Sequence, residues 1–261
     1  MSKQANQTPI IEIRNVSKGF GDVKVLKNVN LTIPRGDSTV IIGGSGSGKS
    51  VLLKCILGLL EPDSGEILID GKNTTHLNER ERYKLMTRFG MLFQNSALFD
   101  SLSIWENVSF GLLQEGMKPL KAYEVALVKL AQVGLLPHVA NQRPSELSGG
   151  MRKRVSLARA ICQEPEIIFY DEPTTGLDPI TSDVINDLIL KLKHDLGVTS
   201  VTITHDMTSA YKIADHMSML YEGEMIAYGT VKEIQQTKNP YVQQFIHGRA
   251  DGPIKMTARA H

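Results

Sequence analysis

A glycine-rich octapeptide at residues 43–50 constrains the fold of this chain more than any other feature of the sequence. It reads G-G-S-G-S-G-K-S and matches the phosphate-binding P-loop pattern G-x-x-x-x-G-K-S. The β-branched run 39–42 before it predicts a short buried strand, and the apolar stretch 50–60 after it predicts a helix. Because strand, glycine loop and helix come in the order that the motif requires, the segment predicts a nucleotide-binding loop and not merely a flexible turn.

The chemistry of a P-loop assigns roles to individual residues. Glycines let successive backbone N–H groups turn toward the phosphates, and the following helix presents the positive end of its dipole. Lys49 is expected to reach the β- and γ-phosphates of the nucleotide, and the Ser50 hydroxyl is expected to bind Mg²⁺. The residues predicted to contact the nucleotide here are Gly43, Gly44, Ser45, Gly46, Ser47, Gly48, Lys49, Ser50 and Val51.

A second candidate site lies at the end of the apolar run 167–170, where Asp171 and Glu172 follow each other. The run predicts a buried strand, and carboxylates at its end must face something positive because an unpaired buried charge is costly. Asp171 is placed to hold a metal ion through its water shell, and Glu172 to polarise the attacking water. Two acidic residues at a strand end are weak evidence alone, but beside a P-loop they predict nucleotide hydrolysis.

The segment 147–151, L-S-G-G-M, precedes a helical pattern at 152–161. Ser148, Gly149 and Gly150 would expose free N–H groups at a helix start, which suits a second phosphate. By itself, the segment is explained better by a tight turn in which Ser148 caps the helix, because serine caps are common. The residues alone therefore leave both interpretations open.

Composition and charge exclude several classes of protein. The 261 residues include 29 basic and 28 acidic ones, a net charge of +1, so no basic surplus indicates a nucleic-acid partner. The basic cluster 152–154 is interpreted as a solvated helix face. No stretch reaches the roughly 18 apolar residues of a membrane helix, and the N-terminus lacks the apolar core of a signal peptide. Cys55 and Cys162 fit reduced core thiols, so we expect a cytosolic protein that reaches a membrane only through a partner.

The hydrophobic pattern predicts an α/β fold with two strand–helix units around a parallel sheet and a flanking antiparallel layer. Residues from about 95 to 161 are mostly helical in pattern and are interpreted as an inserted helical subdomain of a main domain at 1–238. Residues 239–261 lack clear periodicity and are predicted to form an extended C-terminal extension. The other predicted elements are strands at 10–13, 23–29, 31–33, 65–70, 167–170 and 200–204, a helix at 184–196 and a hairpin at 217–227.

The order of the motifs, P-loop, then L-S-G-G, then Asp-Glu, resembles that of the ABC transporter ATPases over residues 10 to about 235. The resemblance implies an α/β P-loop NTPase with an ABC ATPase core, an antiparallel β layer and an inserted helical subdomain, and it implies ATP and Mg²⁺ as cofactors. It implies that Phe20 stacks on adenine, that Asp178 lies in the D-loop and that His205 contacts the γ-phosphate. The implied metal ligands are Ser50, Gln94 and Asp171, and the implied catalytic side chains are Glu172, His205 and Gln94.

The resemblance also explains why one domain has two helix starts suited to phosphate. In this family, the P-loop of one subunit and the L-S-G-G signature of another close on the same ATP, so the implied partner is a second copy of the chain. Met151 stands where glutamine is usual in the signature. We expect Met151 to tune the interface between the copies without abolishing activity.

Three segments, 92–100, 147–151 and 245–254, narrow the resemblance to the ATPase subunit of the bacterial maintenance-of-lipid-asymmetry (Mla, MCE-associated) phospholipid transporters. This implies an integral membrane permease, a periplasmic MCE lipid-binding protein and a small STAS-domain protein as partners, with the chain peripheral on the cytoplasmic face of the inner membrane. Two alternatives stay open: a soluble ABC ATPase such as an iron–sulfur cluster assembly partner, and the ATPase of an ABC transporter for another substrate.

Two segments leave a choice between core and docking surface. In the ABC family, the region after Gln94 receives a cytoplasmic helix of the permease, and Trp105 fits either that contact or the core. The apolar residues of the C-terminal extension are spaced for one stripe on a short helix, which would either cap the chain's own core or dock another subunit. The stripe consists of Tyr241, Val242, Phe245 and Ile246.

Overall fold

Two β-sheets surrounded by helices form the fold, in a computed structural model that describes residues 9–255. The strands are β1 (Pro9–Phe20), β2 (Val23–Pro34), β3 (Ser38–Ile42), β4 (Ser64–Ile69), β5 (Lys72–Asn73), β6 (Phe89–Leu92), β7 (Ile167–Asp171), β8 (Thr199–Thr204), β9 (His216–Tyr221) and β10 (Glu224–Thr230). The helices are α1 (Lys49–Ile56), α2 (Glu79–Met86), α3 (Ile104–Val108), α4 (Phe110–Gln114), α5 (Pro119–Gln132), α6 (Gly149–Ala160), α7 (Pro179–Leu196), α8 (Met207–Ile213), α9 (Val231–Gln236) and α10 (Pro240–Ile246).

The central sheet has the strand order β10-β9-β3-β8-β7-β6, and only the pair β10 and β9 is antiparallel. Its central strands β3, β7 and β8 are buried on both faces. In β7, Ile167 and Phe169 join one core cluster, and Ile168 and Tyr170 join the other. Burial on both faces explains the continuous apolar runs in the sequence. Because parallel strands share a direction, the segments after β3, β6, β7 and β8 all leave the sheet at one edge.

The second sheet is antiparallel, with the order β2-β1-β4-β5, and it packs with α1 over one face of the central sheet. The sequence predicts separate short strands at 10–13, 23–29 and 31–33, but β1 and β2 are each 12 residues long. The pairing of β1 with β2 continues through register shifts, and Asn15 and Asn28 have φ values of 52° and 54°. Bulges of this kind carry a strand past residues that break the alternation.

The helices between β6 and β7 share one continuous core cluster with the other face of the central sheet. Trp105 belongs to this packing, because its ring meets that of Tyr123 edge to face at 5.6 Å. The cluster also includes residues of α7, α8, α9 and α10. A helical subdomain at about 95–161 and a main domain at 1–238 therefore stay predictions, since no break in the core marks their boundaries.

The prediction that the basic cluster 152–154 is a solvated helix face is wrong for its middle residue. Lys153 is only 4% exposed. Its ammonium lies beneath α6 and donates hydrogen bonds to two backbone carbonyls, which replaces part of the hydration that burial removes.

The prediction of an extended C-terminal segment is wrong for residues 240–246, and the short helix that the apolar spacing predicts there is confirmed. Residues 240–246 form α10, with Asn239 as the N-cap, and Val242 is fully buried. Phe245 and Ile246 pack against the same core cluster. The chain then folds back, because the Gln244 side-chain amide donates to the carbonyl oxygen of Ile254 at 3.0 Å and accepts from the Ile254 N–H at 2.7 Å. The apolar stripe thus packs on the chain's own core; residues 256–261 lie outside the described range.

Val242→Ala is expected to lower the free energy of unfolding by about 2 kcal/mol, because it removes two buried methyl groups and leaves a cavity. Val128→Ala on α5 is the matched control, since Val128 is 58% exposed and surface changes usually stay within about 0.5 kcal/mol. Urea unfolding of both variants measures the difference. Equal stability losses would contradict the packing of α10 described here.

Candidate functional site

The P-loop connects β3 to α1, and its backbone path requires glycine at two points. A Cβ on Gly43 would lie 2.3 Å from the backbone oxygen of Leu220. Gly48 has a φ of 108°, and a Cβ there would lie 3.0 Å from the carbonyl oxygen of Val25. The close approach of neighbouring backbone and the left-handed conformation together explain the fixed glycines of the motif.

Lys49 and Ser47 are the buried polar side chains of this loop. The Lys49 ammonium donates hydrogen bonds to the carbonyl oxygens of Gly43 at 2.7 Å and Gly44 at 3.0 Å. Burial lowers the pKa of Lys49, and the carboxylates of Glu172 and Asp171 oppose that shift. The Ser47 hydroxyl is buried and has no hydrogen-bond partner among residues 9–255. A loop of backbone N–H groups with a buried cation and an unpaired hydroxyl fits a phosphate chain.

Ser50 and Val51 follow at the start of α1. Ser50 is exposed, as a ligand to a metal ion must be. The side chain of Val51 packs against the core cluster under the antiparallel sheet. Only the backbone of Val51 is therefore suited to contact a nucleotide.

The end of β7 brings Glu172 and His205 together. The Nδ1 atom of His205 lies 2.9 Å from Oε1 of Glu172, and the Thr175 and Thr204 hydroxyls each donate to Oε2 at 3.1 Å. Glu172 has a φ of 48°, an uncommon conformation for a residue with a side chain. The carboxylate is thus oriented by three side chains, two of which come from the end of β8 or just after it.

Asp171 lies one residue before Glu172 at the end of β7. Burial and the neighbouring Glu172 carboxylate raise the pKa of Asp171, while Lys153, Lys49 and Lys54 act in the opposite direction. Two adjacent carboxylates near the buried Lys49 ammonium form a site for a cation or for the proton of a water molecule.

Gln94 lies two residues beyond β6, at the start of a segment that we call the Q-loop (residues 94–97). Its side chain is exposed, and no hydrogen bond joins it to Glu172 in the described part of the chain. The loop backbone is held from α6: Lys153 donates to the carbonyl oxygen of Gln94, and Arg159 donates to those of Ser96 and Ala97 at 2.7 Å each. These contacts join segments about 60 residues apart, and no pattern in the sequence predicts them.

The signature segment (residues 147–151) opens α6. The Ser148 hydroxyl caps the helix by accepting a hydrogen bond from the Met151 N–H at 3.3 Å, so the capping interpretation is correct. Gly149 and Gly150 are partly exposed. A Cβ on Gly150 would lie 2.6 Å from Cγ2 of Thr181, so the segment adjoins the start of α7.

Asp178 caps α7 beside the signature segment. The Thr181 hydroxyl donates a hydrogen bond to the Asp178 carboxylate and lowers its pKa most. The backbone N–H groups of Thr181 and Ile180, which donate at 3.0 Å each, lower it further. Within residues 9–255, no hydrogen bond connects Ser148 or Asp178 with the P-loop. The signature segment and the D-loop (residues 176–178) thus adjoin each other as one group, and the P-loop, Glu172 and His205 form a second group.

Phe20 ends β1 and is 51% exposed, which leaves a ring face open to solvent. Asp63 organises this corner, because its carboxylate accepts hydrogen bonds from the Gly19 N–H at 2.7 Å and the Lys18 ammonium at 2.6 Å. The Lys18 ammonium also lies 5.7 Å from the centre of the Phe20 ring. The sequence does not predict this role of Asp63, because Asp63 lies 44 residues from Gly19 along the chain and only the fold brings the two together.

A buried polar cluster connects the segment after Glu172 with the segment after His205. Ser209 donates to the Asp206 carboxylate at 2.5 Å and lies 3.2 Å from the Thr174 hydroxyl, and Asn186 on α7 donates to Ser209 at 2.9 Å. Thr174, Asn186 and Ser209 are each at most 5% exposed. This cluster fixes the two loops that carry Glu172 and His205 relative to each other.

Comparison with known proteins agrees with this arrangement. Residues 26–175 match the sequence model of the ABC transporter family. The intermembrane phospholipid transport system ATP-binding protein MlaF of Escherichia coli (strain K12) is 42% identical over 246 residues, which cover 94% of this chain and 91% of that protein. The probable ribonucleotide transport ATP-binding protein mkl of Mycobacterium bovis is 39% identical over 248 residues, 95% of this chain and 69% of that protein.

A solved structure has the same fold. The dimeric post-hydrolysis state of the ATP-binding cassette MJ0796 with ADP and Pi superposes with a TM-score of 0.78 at 35% identity, and the match covers 85% of this chain and 98% of that chain. The predicted fold class, an ABC ATPase core of the P-loop NTPase type, is confirmed. The chain belongs to the ABC transporter family, as a subunit that binds and hydrolyses ATP.

Proposed function

We propose that this chain hydrolyses ATP between its own P-loop and the signature segment of a second copy, and thereby drives phospholipid transport between the inner and outer membranes. The hydrolytic part is carried by one observation: Glu172 and His205 share a 2.9 Å hydrogen bond at the sheet edge from which the P-loop also leaves. The choice of cargo rests on the 42% identity to MlaF, which extends over nearly the full length of both chains.

In this proposal, Glu172 polarises the attacking water and accepts its proton. The Thr175 and Thr204 hydroxyls bind Oε2 and leave the carboxylate in one orientation, which is what a positioned general base needs. His205 holds Oε1 and would contact the γ-phosphate through its other ring nitrogen. Lys49 would exchange its bonds with loop carbonyls for bonds with the β- and γ-phosphates, and Phe20 would stack on the adenine.

The residues present fit Mg²⁺. Ser50, Asp171 and Gln94 would hold the ion, and they supply one carboxylate and two neutral oxygens. No group of three or more His, Cys, Asp or Glu residues suited to a metal occurs in the range 9–255. The one carboxylate and two neutral oxygens suit Mg²⁺, which keeps several of its waters and binds few protein ligands besides phosphate oxygens. When bound, the ion would neutralise charge on the β- and γ-phosphates.

A second copy would complete each ATP site. Ser148 and Asp178 are exposed, and Gly149 and Gly150 are partly exposed. Within residues 9–255, no hydrogen bond joins Ser148 or Asp178 to the chain's own P-loop. Free N–H groups at the start of α6 suit the phosphates of a nucleotide bound to another chain. The dimeric MJ0796 cassette supports a pair of this type.

The remaining partners follow from the proposed cargo. We propose an integral membrane permease, a periplasmic MCE lipid-binding protein and a small STAS-domain protein, with no nucleic acid, and a position on the cytoplasmic face of the inner membrane. Across residues 9–255, none of the helices has the length and apolar character to cross a bilayer. The name of mkl favours ribonucleotide as a second candidate cargo.

We expect the tagged chain to copurify with a membrane permease from detergent-solubilised membranes, and Asp100→Arg to reduce that recovery without lowering basal ATPase activity. Asp100 is exposed just after the Q-loop, where a permease helix would bind. Asp195→Arg, exposed at the end of α7, is the matched control. ATP-dependent phospholipid transfer in proteoliposomes of the complex tests the cargo. Copurification with soluble iron–sulfur assembly proteins alone, or transfer of ribonucleotides alone, would contradict the proposal.

A further inference from the structure

Lys153 is a buried cation that the proposed mechanism has not used. Its side chain is 4% exposed, and in the part of the chain that the structure describes it forms no salt bridge. Its ammonium instead donates to two backbone carbonyl oxygens, that of Gln94 at 2.5 Å and that of Glu172 at 3.3 Å. Burying a charge this way is costly unless it is well hydrogen-bonded, so the two carbonyls define where the side chain must lie.

Both carbonyls belong to residues whose side chains are proposed to contact the attacking water. Both residues also lie in backbone segments with uncommon conformations. Glu172 has a φ of 48°, and just after Gln94 the residues Ser96 and Ala97 have φ values of 61° and 46°. Such conformations persist only when surrounding contacts hold them. Lys153 supplies one hydrogen bond to each of the two segments.

The contacts of Lys153 differ from those of its neighbours on the same helix face. Ser156 and Arg159 also bind the Q-loop, but they reach only the carbonyl oxygens of Ser96 and Ala97. Among these three side chains, only Lys153 also reaches Glu172. It therefore joins the Q-loop to the end of β7 through α6.

We propose that Lys153 is a positioning residue for ATP hydrolysis, whose ammonium fixes the backbones of Gln94 and Glu172 to α6 so that their side chains face the attacking water together. The proposal rests on the roles given above to Gln94 and Glu172. It also links the two groups of functional residues in one chain, because Lys153 lies in the first turns of the helix that the signature segment opens. A shift of that helix against a second copy's nucleotide would move the chain's own Gln94 and Glu172.

The test compares turnover with nucleotide affinity in the full-length chain. Lys153→Met keeps the length of the side chain and removes the donor, so kcat should fall about 100-fold, the effect of misplacing catalytic groups, while the Kd for ATP stays within about threefold. Lys153→Arg keeps donors that can bridge two carbonyls and should recover at least about tenfold over Lys153→Met. Lys129→Met is the control, because Lys129 is also buried, at 6% exposure, but lies on α5.

Three results of the activity measurements would overturn the proposal: a kcat for Lys153→Met within about threefold of wild type, an equal loss in Lys129→Met, or an arginine variant no better than the methionine variant. A Lys153→Met chain that does not fold while Lys129→Met does would also overturn it, by making the role purely structural. Glu172→Gln measured in parallel separates this proposal from the general mechanism. If Glu172→Gln keeps full turnover, the assignment of the base fails whatever Lys153→Met does.

Discussion

Glu172→Gln is expected to lower the turnover number for ATP hydrolysis by about 10² to 10⁴-fold, the contribution of a positioned general base. The amide keeps the shape of the carboxylate and can still accept hydrogen bonds from Thr175 and Thr204, so the local structure should persist. It cannot take a proton from water. ATP affinity should therefore stay within a few-fold of wild type, measured by titration with a fluorescent ATP analogue.

Glu124→Gln is the matched control for this substitution, because Glu124 is exposed on α5, in the helical segment between β6 and β7. The control should hydrolyse ATP at the wild-type rate. If Glu172→Gln also retained turnover within a few-fold of wild type, another group would have to activate the water, and the orientation of Glu172 by three side chains would have a structural purpose only.

Lys49→Ala is expected to act at binding and to raise the Kd for ATP by about 10- to 100-fold. A charge-assisted hydrogen bond contributes about 1.5–3 kcal/mol, and each 1.4 kcal/mol is a factor of ten in affinity. Lys191→Ala on α7 is the control, because Lys191 is exposed on a helix that does not follow the P-loop. Isothermal titration calorimetry measures both.

The stability of the Lys49 variant has to be checked, since the ammonium also holds the carbonyl oxygens of Gly43 and Gly44. Thermal unfolding without nucleotide should show a folded chain. Unchanged ATP affinity in a folded Lys49→Ala variant would contradict the P-loop assignment.

The sequence was sufficient for the parts of the site that depend on strand direction. Apolar runs before the P-loop, before Asp171 and before His205 predict parallel strands, and parallel strands bring their carboxyl ends to one edge. In the structure, β8 lies between β3 and β7, and Nδ1 of His205 contacts the carboxylate of Glu172. Local periodicity carries this information because each strand is buried on both faces.

Contacts between distant segments could not be predicted in the same way. Lys153 stands in a basic run that looks solvated, and only the packing of α6 against the Q-loop shows where its ammonium goes. Asp63 supports the Phe20 corner across a gap of more than 40 residues. In the C-terminal region, the spacing of apolar residues suggested a helix but did not tell whether Val242 would face the chain's own core or another subunit.

The measurement that tests the account most directly is the ATP-dependent pairing of the Glu172→Gln chain, followed by light scattering after size exclusion. If each ATP is held between the P-loop of one copy and the signature of another, slow hydrolysis should trap pairs with ATP, and ADP should leave single chains. Ser148→Arg in the same background should prevent pairing, because a long cation would occupy the phosphate position at the start of α6. Single chains at saturating ATP, or pairs that ignore Ser148→Arg, would contradict a site shared between two copies.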